Sequence, residues 1–282
     1  MIKSIVVAGA GTMGSGIALS AALAGLPTVL FDTNEFVLEK AELSVNANLT
    51  FLEQKGKITS EQKRETFSSI QFTSIIELCK GDMIIEAIVE RLDAKLELFS
   101  RLNSINNANC IFASNTSSLS ISEIQEEIAH PQRVAGMHFF NPAHVMKLVE
   151  VVKGRQTSDE TTNAIIQLCK LLNKTPVLCI DSPGFIVNRV ARPYYLEAMK
   201  IVENGMATFE EVDAVMEASG FKMGPFKLMD LIGMDINYAV STSLFEALNK
   251  PERLKPAALQ ADKISKGELG KKTGKGFYNY NK

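Results

Sequence analysis

The sequence predicts an α/β fold in which a doubly wound, mostly parallel sheet is followed by an all-α domain. Three observations predict it. Short apolar runs alternate with amphipathic helical stretches as far as Pro183. A glycine-rich turn joins the first apolar run to the first helix. Beyond Pro183-Gly184 only the helical period continues, so we place one domain over residues 1–183 and the other over residues 184–282.

The glycine turn opens the chain. An apolar run precedes residues 9–14, a small-residue helix follows them, and the next apolar run ends at Asp32. This order of strand, GxGxxG turn, helix, strand and acidic residue is typical of a Rossmann-type unit. Such a unit binds a pyrophosphate at the N-terminus of the helix, and its acidic residue binds a ribose hydroxyl. A turn without ligand would explain the first glycine but not the other two. The residues predicted to bind the cofactor are Gly9, Gly11, Thr12, Met13, Gly14 and Asp32.

The residues after Asp32 bear on the choice of cofactor. An arginine or lysine there would indicate a 2′-phosphate, whereas this chain continues with Thr33 and Asn34. The sequence therefore favours NAD over NADP.

Further polar residues stand where predicted strands end. They are Glu90, Asn115 with Ser117, and His138. Because an open α/β sheet binds ligands outside the carboxyl ends of its strands, we expect these side chains near the glycine turn. Glu150 differs, since it lies inside the next apolar run and needs a partner if it is buried there.

Composition excludes several classes of function. A net charge of -2 gives no attraction to nucleic acid or an anionic membrane surface. No apolar run is long enough to span a membrane, and the first strand begins too close to Met1 for a signal or transit peptide. The four cysteines form no C-x-x-C pair, which favours buried thiols over disulfides or a metal site. We expect a cytoplasmic protein with a small-molecule substrate.

Several motifs in one order resemble the L-3-hydroxyacyl-CoA dehydrogenase family, most nearly its bacterial 3-hydroxybutyryl-CoA dehydrogenases. The resemblance covers essentially the whole chain. Its motifs are the glycine turn, Ser114-Asn115-Thr116-Ser117-Ser118, His138-Phe139-Phe140-Asn141-Pro142, Lys147-Leu148-Val149-Glu150-Val151, Pro183-Gly184-Phe185-Ile186-Val187-Asn188-Arg189, Met223-Gly224-Pro225-Phe226 and Lys272-Thr273-Gly274-Lys275-Gly276-Phe277-Tyr278.

The resemblance implies an NAD-dependent interconversion of (S)-3-hydroxyacyl-CoA, in particular 3-hydroxybutyryl-CoA, and 3-ketoacyl-CoA by hydride transfer. His138 matches the base and Glu150 its orienting partner, while Ser117 and Asn188 match the groups that bind the substrate oxygens. The residues alone also favour His138 over the other two histidines, because only His138 ends a predicted strand.

The resemblance implies more contacts and a partner. Glu90, Lys95, Ser117, Asn141 and Lys272 match cofactor contacts. Lys55 or Lys57 lies in the region expected to meet the CoA phosphates, and the helical domain is expected to form a homodimer. Two alternatives stay open: a non-catalytic NAD-binding structural protein of the same fold, and a dehydrogenase of a hydroxy acid without CoA.

Overall fold

The structure is a computed structural model that describes residues 2–126 and 128–281. It separates into two compact units, the first ending at Ser182 and the second beginning at Pro183. Every sheet strand in the described residues lies in the first unit, and the second is built from helices. None of the described helices is long and apolar enough to cross a bilayer. The predicted fold class, an α/β domain followed by a helical one, is confirmed.

One sheet organises the first unit. Its strands are β1 (Ile5–Ala8), β2 (Thr28–Phe31), β3 (Ile70–Thr73), β4 (Met83–Glu86), β5 (Ile111–Ser114), β6 (Val134–Phe139), β7 (Leu148–Lys153) and β8 (Thr175–Ile180). They lie in the order β3-β2-β1-β4-β5-β6-β7-β8. Neighbouring strands are parallel except β6 and β7, which run antiparallel. The strand order reverses direction between β1 and β4, which is where doubly wound sheets bind ligands.

Helices cover the sheet. They are α1 (Thr12–Leu23), α2 (Glu35–Gln54), α3 (Ser60–Ser68), α4 (Leu92–Ile105), α5 (Ile121–Glu126) and α6 (Asp159–Leu171). Helix α1 is buried over Gly14–Ala22, because its glycine, alanine and serine residues let it approach β1 and β2 closely. Its first turn follows the glycine turn directly, so its unpaired backbone N–H groups point toward that turn.

The core of the first unit lies between the sheet and these helices. Strands β1 and β4 are buried throughout, as central parallel strands covered on both faces must be. All four cysteines are buried thiols, as predicted. Burial raises the pKa of Cys79, Cys110 and Cys169 to about 12, so these thiols stay protonated and act as small apolar side chains.

The second unit packs five helices around its own core. They are α7 (Val187–Glu203), α8 (Phe209–Ala218), α9 (Pro225–Ile232), α10 (Met234–Ala247) and α11 (Ala258–Ser265). Helix α7 begins only at Val187, because Gly184 and Phe185 both have a positive φ. Met199, Phe226 and Met229 are fully buried, which confirms a core role for these apolar positions.

Two buried aspartates fix the end of the chain to this core. Asp213 accepts backbone hydrogen bonds at the start of α9, from Phe226 and Lys227 at 2.8 and 3.0 Å, and one from the Tyr278 hydroxyl at 2.8 Å. Asp230 accepts the backbone N–H of Phe277 and that of Tyr278, each at 2.9 Å. The C-terminal segment is thus part of the folded unit.

Candidate active site

The carboxyl ends of neighbouring parallel strands carry most of the polar residues that the sequence singled out. Asp32 follows β2, Asn115 follows β5, and His138 is the second-last residue of β6. Because these strands are parallel neighbours in one sheet, their carboxyl ends share one edge. Glu90 is the exception to the prediction, since β4 ends at Glu86 and Glu90 lies in the loop behind it.

The three glycines of the turn have different reasons to be glycine. Gly9 has a φ of +106°, and a Cβ there would lie 2.5 Å from the Ala87 carbonyl oxygen. A Cβ on Gly14 would lie 1.7 Å from the carbonyl oxygen of Gly9. Gly11 has a φ of -64°, and a Cβ there would meet no described atom within 4 Å. The fold therefore requires two of the glycines, and the third leaves open space beside the N-terminus of α1.

Asp32 is tied to the glycine turn. Its Oδ2 accepts the backbone N–H of Ala10 at 2.8 Å, and its Oδ1 accepts that of Asn34 at 3.0 Å. A cavity of about 520 Å³ lies beside it, and its lining includes Gly9, Gly11 and the carboxylate-bearing Asp32. The first turn of α1 carries no acidic residue, which favours an anion at this helix N-terminus. These residues fit a dinucleotide held across the turn.

A buried ion-pair cluster stands behind the ends of β4 and β5. Lys95 on α4 is 1% exposed, and its Nζ lies 2.5 Å from Glu86 Oε1 and 3.1 Å from Glu90 Oε2. Glu86 also accepts the Ser114 hydroxyl at 2.6 Å and the Ile88 backbone N–H at 2.7 Å. The ammonium of Lys95 thus forms ion pairs with two carboxylates. These contacts give Lys95 a structural role in the first unit.

Glu90 connects this cluster to the loop that carries Ser117. Its Oε1 accepts the Thr116 hydroxyl at 2.6 Å, the Ser117 backbone N–H at 2.9 Å and the Ser118 hydroxyl at 3.0 Å. Partial burial opposes ionisation of Glu90, but Lys95 and these hydrogen bonds outweigh it and hold its pKa below the usual value. In Glu86 the burial wins and the pKa is raised, against the opposing effects of Lys95 and Ser114.

Replacing Lys95 with methionine is expected to lower the free energy of unfolding by about 3–5 kcal/mol at neutral pH, because it leaves the buried carboxylate of Glu86 without its cation. Glu90, with its lowered pKa, contributes stability above its unfolded pKa and loses it as the pH falls through the folded pKa. The difference in the free energy of unfolding between the parent and Lys95→Met should therefore become smaller as the pH falls. Urea unfolding at several pH values measures this difference.

Arg101→Met, on the exposed face of α4, is the control and should lower the free energy of unfolding by less than about 0.5 kcal/mol. Equal losses in the two variants would contradict the cluster's role.

His138 and Glu150 are direct partners across β6 and β7. The antiparallel register sets one opposite the other, so both side chains leave the same face of the sheet. His138 Nδ1 lies 2.8 Å from Glu150 Oε2, and the two residues are only 7% and 1% exposed. Asn115 supports the end of β6, because its Oδ1 accepts the Phe139 backbone N–H at 2.9 Å. The buried glutamate thus has the partner that its position required, and Nε2 is the histidine nitrogen that does not contact Glu150.

A second cavity, of about 440 Å³, adjoins the glycine turn on the side of α2. Asn141, His144 and the side chains of Lys40 and Asn48 take part in its lining. Burial lowers the pKa of His144 and nearby Lys174 lowers it further, so His144 is neutral at physiological pH. Lys55 and Lys57, the expected contacts of the CoA phosphates, are not part of this lining. The Nζ atom of Lys55 lies 5.5 Å from the centroid of the Phe51 ring.

The remaining predicted site residues belong to the second unit. Asn188 is the second residue of α7. Lys272 lies in a short 3₁₀ turn, and its Nζ contacts both carboxylate oxygens of Asp235 at 2.5 and 2.6 Å. Any role of Lys272 toward a cofactor therefore competes with this ion pair.

Comparison with known proteins agrees with this geometry. Residues 4–182 match the family model described as 3-hydroxyacyl-CoA dehydrogenase, NAD binding domain, and residues 184–280 match 3-hydroxyacyl-CoA dehydrogenase, C-terminal domain. The chain belongs to the 3-hydroxyacyl-CoA dehydrogenase family. The predicted family and its oxidoreductase class are thereby confirmed.

Individual relatives of the chain carry different names. The chain is 43% identical to the 3-hydroxyadipyl-CoA dehydrogenase of Escherichia coli K12 over 99% of its own length, and spans 59% of that relative. It is 40% identical to the 3-hydroxybutyryl-CoA dehydrogenase of Clostridioides difficile, with 99% of both chains covered. The solved structure of (S)-3-hydroxybutyryl-CoA dehydrogenase from Ralstonia eutropha superposes with a TM-score of 0.95 at 38% identity, covering both chains completely.

Sequence reasoning missed one residue of the candidate site. Glu86 is the last residue of β4, and it is fully buried and forms an ion pair with Lys95. The available signal was a glutamate inside the run Met83–Val89 followed nine residues later by a lysine on a predicted helix.

Proposed function

We propose that this protein is an NAD-dependent (S)-3-hydroxyacyl-CoA dehydrogenase that interconverts 3-hydroxybutyryl-CoA and acetoacetyl-CoA. The observation that supports it most is the buried pair of His138 and Glu150. His138 lies at the carboxyl end of β6, and the glycine turn follows the carboxyl end of β1 in the same sheet. A histidine held by a buried carboxylate is suited to general base catalysis near neutral pH.

The chemistry requires a base for the hydroxyl proton and an acceptor for the hydride. His138 Nε2 takes the proton from the C3 hydroxyl, and Glu150 stabilises the imidazolium through Nδ1. In the reductive direction the same imidazolium returns the proton to the C3 oxygen. When bound, the nicotinamide supplies the hydride acceptor.

The cofactor is proposed to be NAD, held by the glycine turn, Thr12 and Met13. The open space beside Gly11 supports close approach of a pyrophosphate to the backbone. Asp32 is suited to accept a ribose 2′-hydroxyl and to repel a 2′-phosphate, and neither Thr33 nor Asn34 supplies a cation for NADP.

The other site residues have proposed roles that follow from their contacts. Ser117 and Asn188 would hydrogen-bond the substrate oxygens. Glu90 and Lys95 act as positioning residues, since they hold the Ser117 loop by the bonds described above. Asn141 and Lys272 are proposed cofactor contacts.

The domains and the assembly are part of the same proposal. Residues 1–183 would bind NAD, and residues 184–282 would bind substrate and form a homodimer. A cytoplasmic location also stays a prediction.

The acyl group distinguishes the named relatives. A butyryl chain ends in a methyl group, whereas an adipyl chain ends in a second carboxylate. A cationic side chain beside the end of the acyl chain would favour binding of substrates that end in a carboxylate over those that end in a methyl group.

Replacing Glu150 with glutamine is expected to lower kcat about 10²-fold, because the amide cannot balance the charge of the imidazolium. In the oxidative direction the acidic limb of the pH profile of kcat/KM should move to lower pH for the same reason. Steady-state kinetics over a range of pH measures both effects. Glu97→Gln, on the exposed side of α4, is the control. A pH profile that matches the parent would count against the pairing of Glu150 with the base.

The direct test is oxidation of NADH in the presence of acetoacetyl-CoA, repeated with NADPH and with free acetoacetate. We expect turnover with NADH and acetoacetyl-CoA, and at least about tenfold lower kcat/KM with NADPH. Binding of NADH without turnover of any acyl-CoA would favour a non-catalytic structural protein. Turnover of the free acid but not of the thioester would favour a dehydrogenase of a hydroxy acid without CoA.

A further inference from the structure

A buried arginine in the second unit has only neutral partners. Arg192 on α7 is 3% exposed, and its Nη1 donates to the Asn237 carbonyl at 2.9 Å and to the Ser241 hydroxyl at 3.0 Å. Its guanidinium carbon lies 4.8 Å from the Tyr195 ring centroid. No carboxylate in the described residues forms an ion pair with it. A buried guanidinium without a counter-charge is costly, and a bound anion would offset that cost.

The groups around Arg192 have more donors than acceptors. Gln260 Nε2 donates to Asn237 Oδ1 at 2.7 Å and to Ser241 Oγ at 2.9 Å, which uses the acceptors of both. Arg192 Nε and Asn237 Nδ2 are buried and find no acceptor among the described residues. A cation beside unused donors is the arrangement that a carboxylate satisfies, since it brings two acceptor oxygens and one negative charge.

The position of Arg192 points to the acyl chain as the source of that carboxylate. Arg192 follows Asn188 by four residues in α7, so the two share one face of the helix and lie about 6 Å apart along its axis. In the proposed function Asn188 binds a substrate oxygen. A carboxyl carbon three C–C bonds beyond C3 lies about 4 Å from it. A hydrogen bond of about 3 Å from this carboxylate would then reach the guanidinium of Arg192, one helical turn after Asn188.

We infer that Arg192, with Asn237, binds a carboxylate at the far end of the acyl chain, so that the preferred substrates are 3-hydroxyacyl-CoA thioesters of dicarboxylic acids. This inference rests on the proposed 3-hydroxyacyl-CoA dehydrogenase activity, adds a specificity-determining residue to it, and makes a dicarboxylic thioester a better substrate than 3-hydroxybutyryl-CoA. A carboxylate from a second copy of the chain is the competing source of the anion. The spacing from Asn188 favours the substrate, and the experiment separates the two.

The test compares two six-carbon substrates that differ only at the chain end, 3-hydroxyadipyl-CoA and 3-hydroxyhexanoyl-CoA. The measured quantity is the ratio of their kcat/KM values in the same enzyme preparation. Loss of folded protein lowers both values and leaves the ratio unchanged. We expect a ratio above about 10 for the parent enzyme, and a 10- to 100-fold fall in the ratio for Arg192→Met. Arg192→Lys should retain part of the preference, because it keeps the charge but not the planar fork.

Arg133 offers a matched control. It is also a buried arginine whose Nε lacks an acceptor among the described residues, but it precedes β6 and so lies at the opposite end of the sheet from His138. Arg133→Met should therefore leave the ratio at the parent value.

Each other outcome decides against the inference or against its premise. If no acyl-CoA is turned over, the proposed function fails. If the neutral substrate is turned over and the parent ratio is near one, only the inference fails. An Arg192→Met enzyme that keeps the parent ratio but changes its sedimentation coefficient would assign the anion to a second copy of the chain and overturn the inference.

Discussion

Replacing His138 with glutamine is expected to lower kcat about 10²- to 10⁴-fold in both directions of the reaction, because glutamine can neither accept nor return the C3 hydroxyl proton. The buried pair with Glu150 is lost, but the glycine turn and Asp32 are untouched, so the Kd for NADH should remain near the parent value. Steady-state kinetics and a fluorescence titration with NADH measure the two quantities on the same sample.

The other histidines allow a control for this substitution. His130 has a left-handed backbone conformation with a φ of 88° and precedes the start of β6, away from the predicted site. Asparagine tolerates that conformation, so His130→Asn should keep the parent kcat. A parallel loss of NADH binding and turnover in His138→Gln would contradict the role of His138 as base, because it would show that the residue serves the cofactor site or the fold.

Alanine substitutions in the glycine turn should have opposite effects at positions 11 and 14. Gly14→Ala places a methyl group against the carbonyl oxygen of Gly9, which is backbone and cannot rotate away, so we expect a loss of stability of at least about 1–3 kcal/mol. Gly11→Ala meets no described atom and keeps an ordinary φ, so its stability should equal or slightly exceed that of the parent. Its affinity for NADH should nevertheless fall at least tenfold, because the methyl group occupies the space of the pyrophosphate.

Thermal unfolding and NADH titration of both variants separate fold from function. A Gly11→Ala protein that binds NADH as the parent does would contradict the proposed placement of the cofactor. A Gly14→Ala protein with the parent unfolding temperature would contradict the packing of α1 against the turn.

The sheet and the position of His138 could be predicted because each depends on local pattern. Alternating apolar runs and helices specify the α/β fold, and a polar residue at a strand end must lie at the ligand-binding edge. Strand β3 was not predicted, because it is a four-residue edge strand in which two of the residues, Gln71 and Thr73, are polar. The antiparallel direction of β7 was also not predicted, although the contact between His138 and Glu150 depends on its register.

Buried charges were the hardest features to predict. Lys95 occurs on an amphipathic helix, where a lysine usually faces solvent, and only the approach of β4 to α4 makes it the centre of a cluster. Arg192 is similar, since its burial depends on α10 packing against α7. Such sites depend on how separate elements pack against each other, which the local pattern of a single sequence does not specify.

The hydrogen bond from Ala10 to Asp32 has a consequence for changing coenzyme preference by design. The usual route to NADP use is to remove the acid, which relieves the repulsion of a 2′-phosphate. In this protein the same carboxylate also holds the glycine turn proposed to bind the diphosphate, so its removal would loosen the proposed site for either coenzyme. A redesign would therefore need a substituted acceptor for the Ala10 N–H, in addition to a new cation after β2, before a gain for one coenzyme could exceed the loss for both.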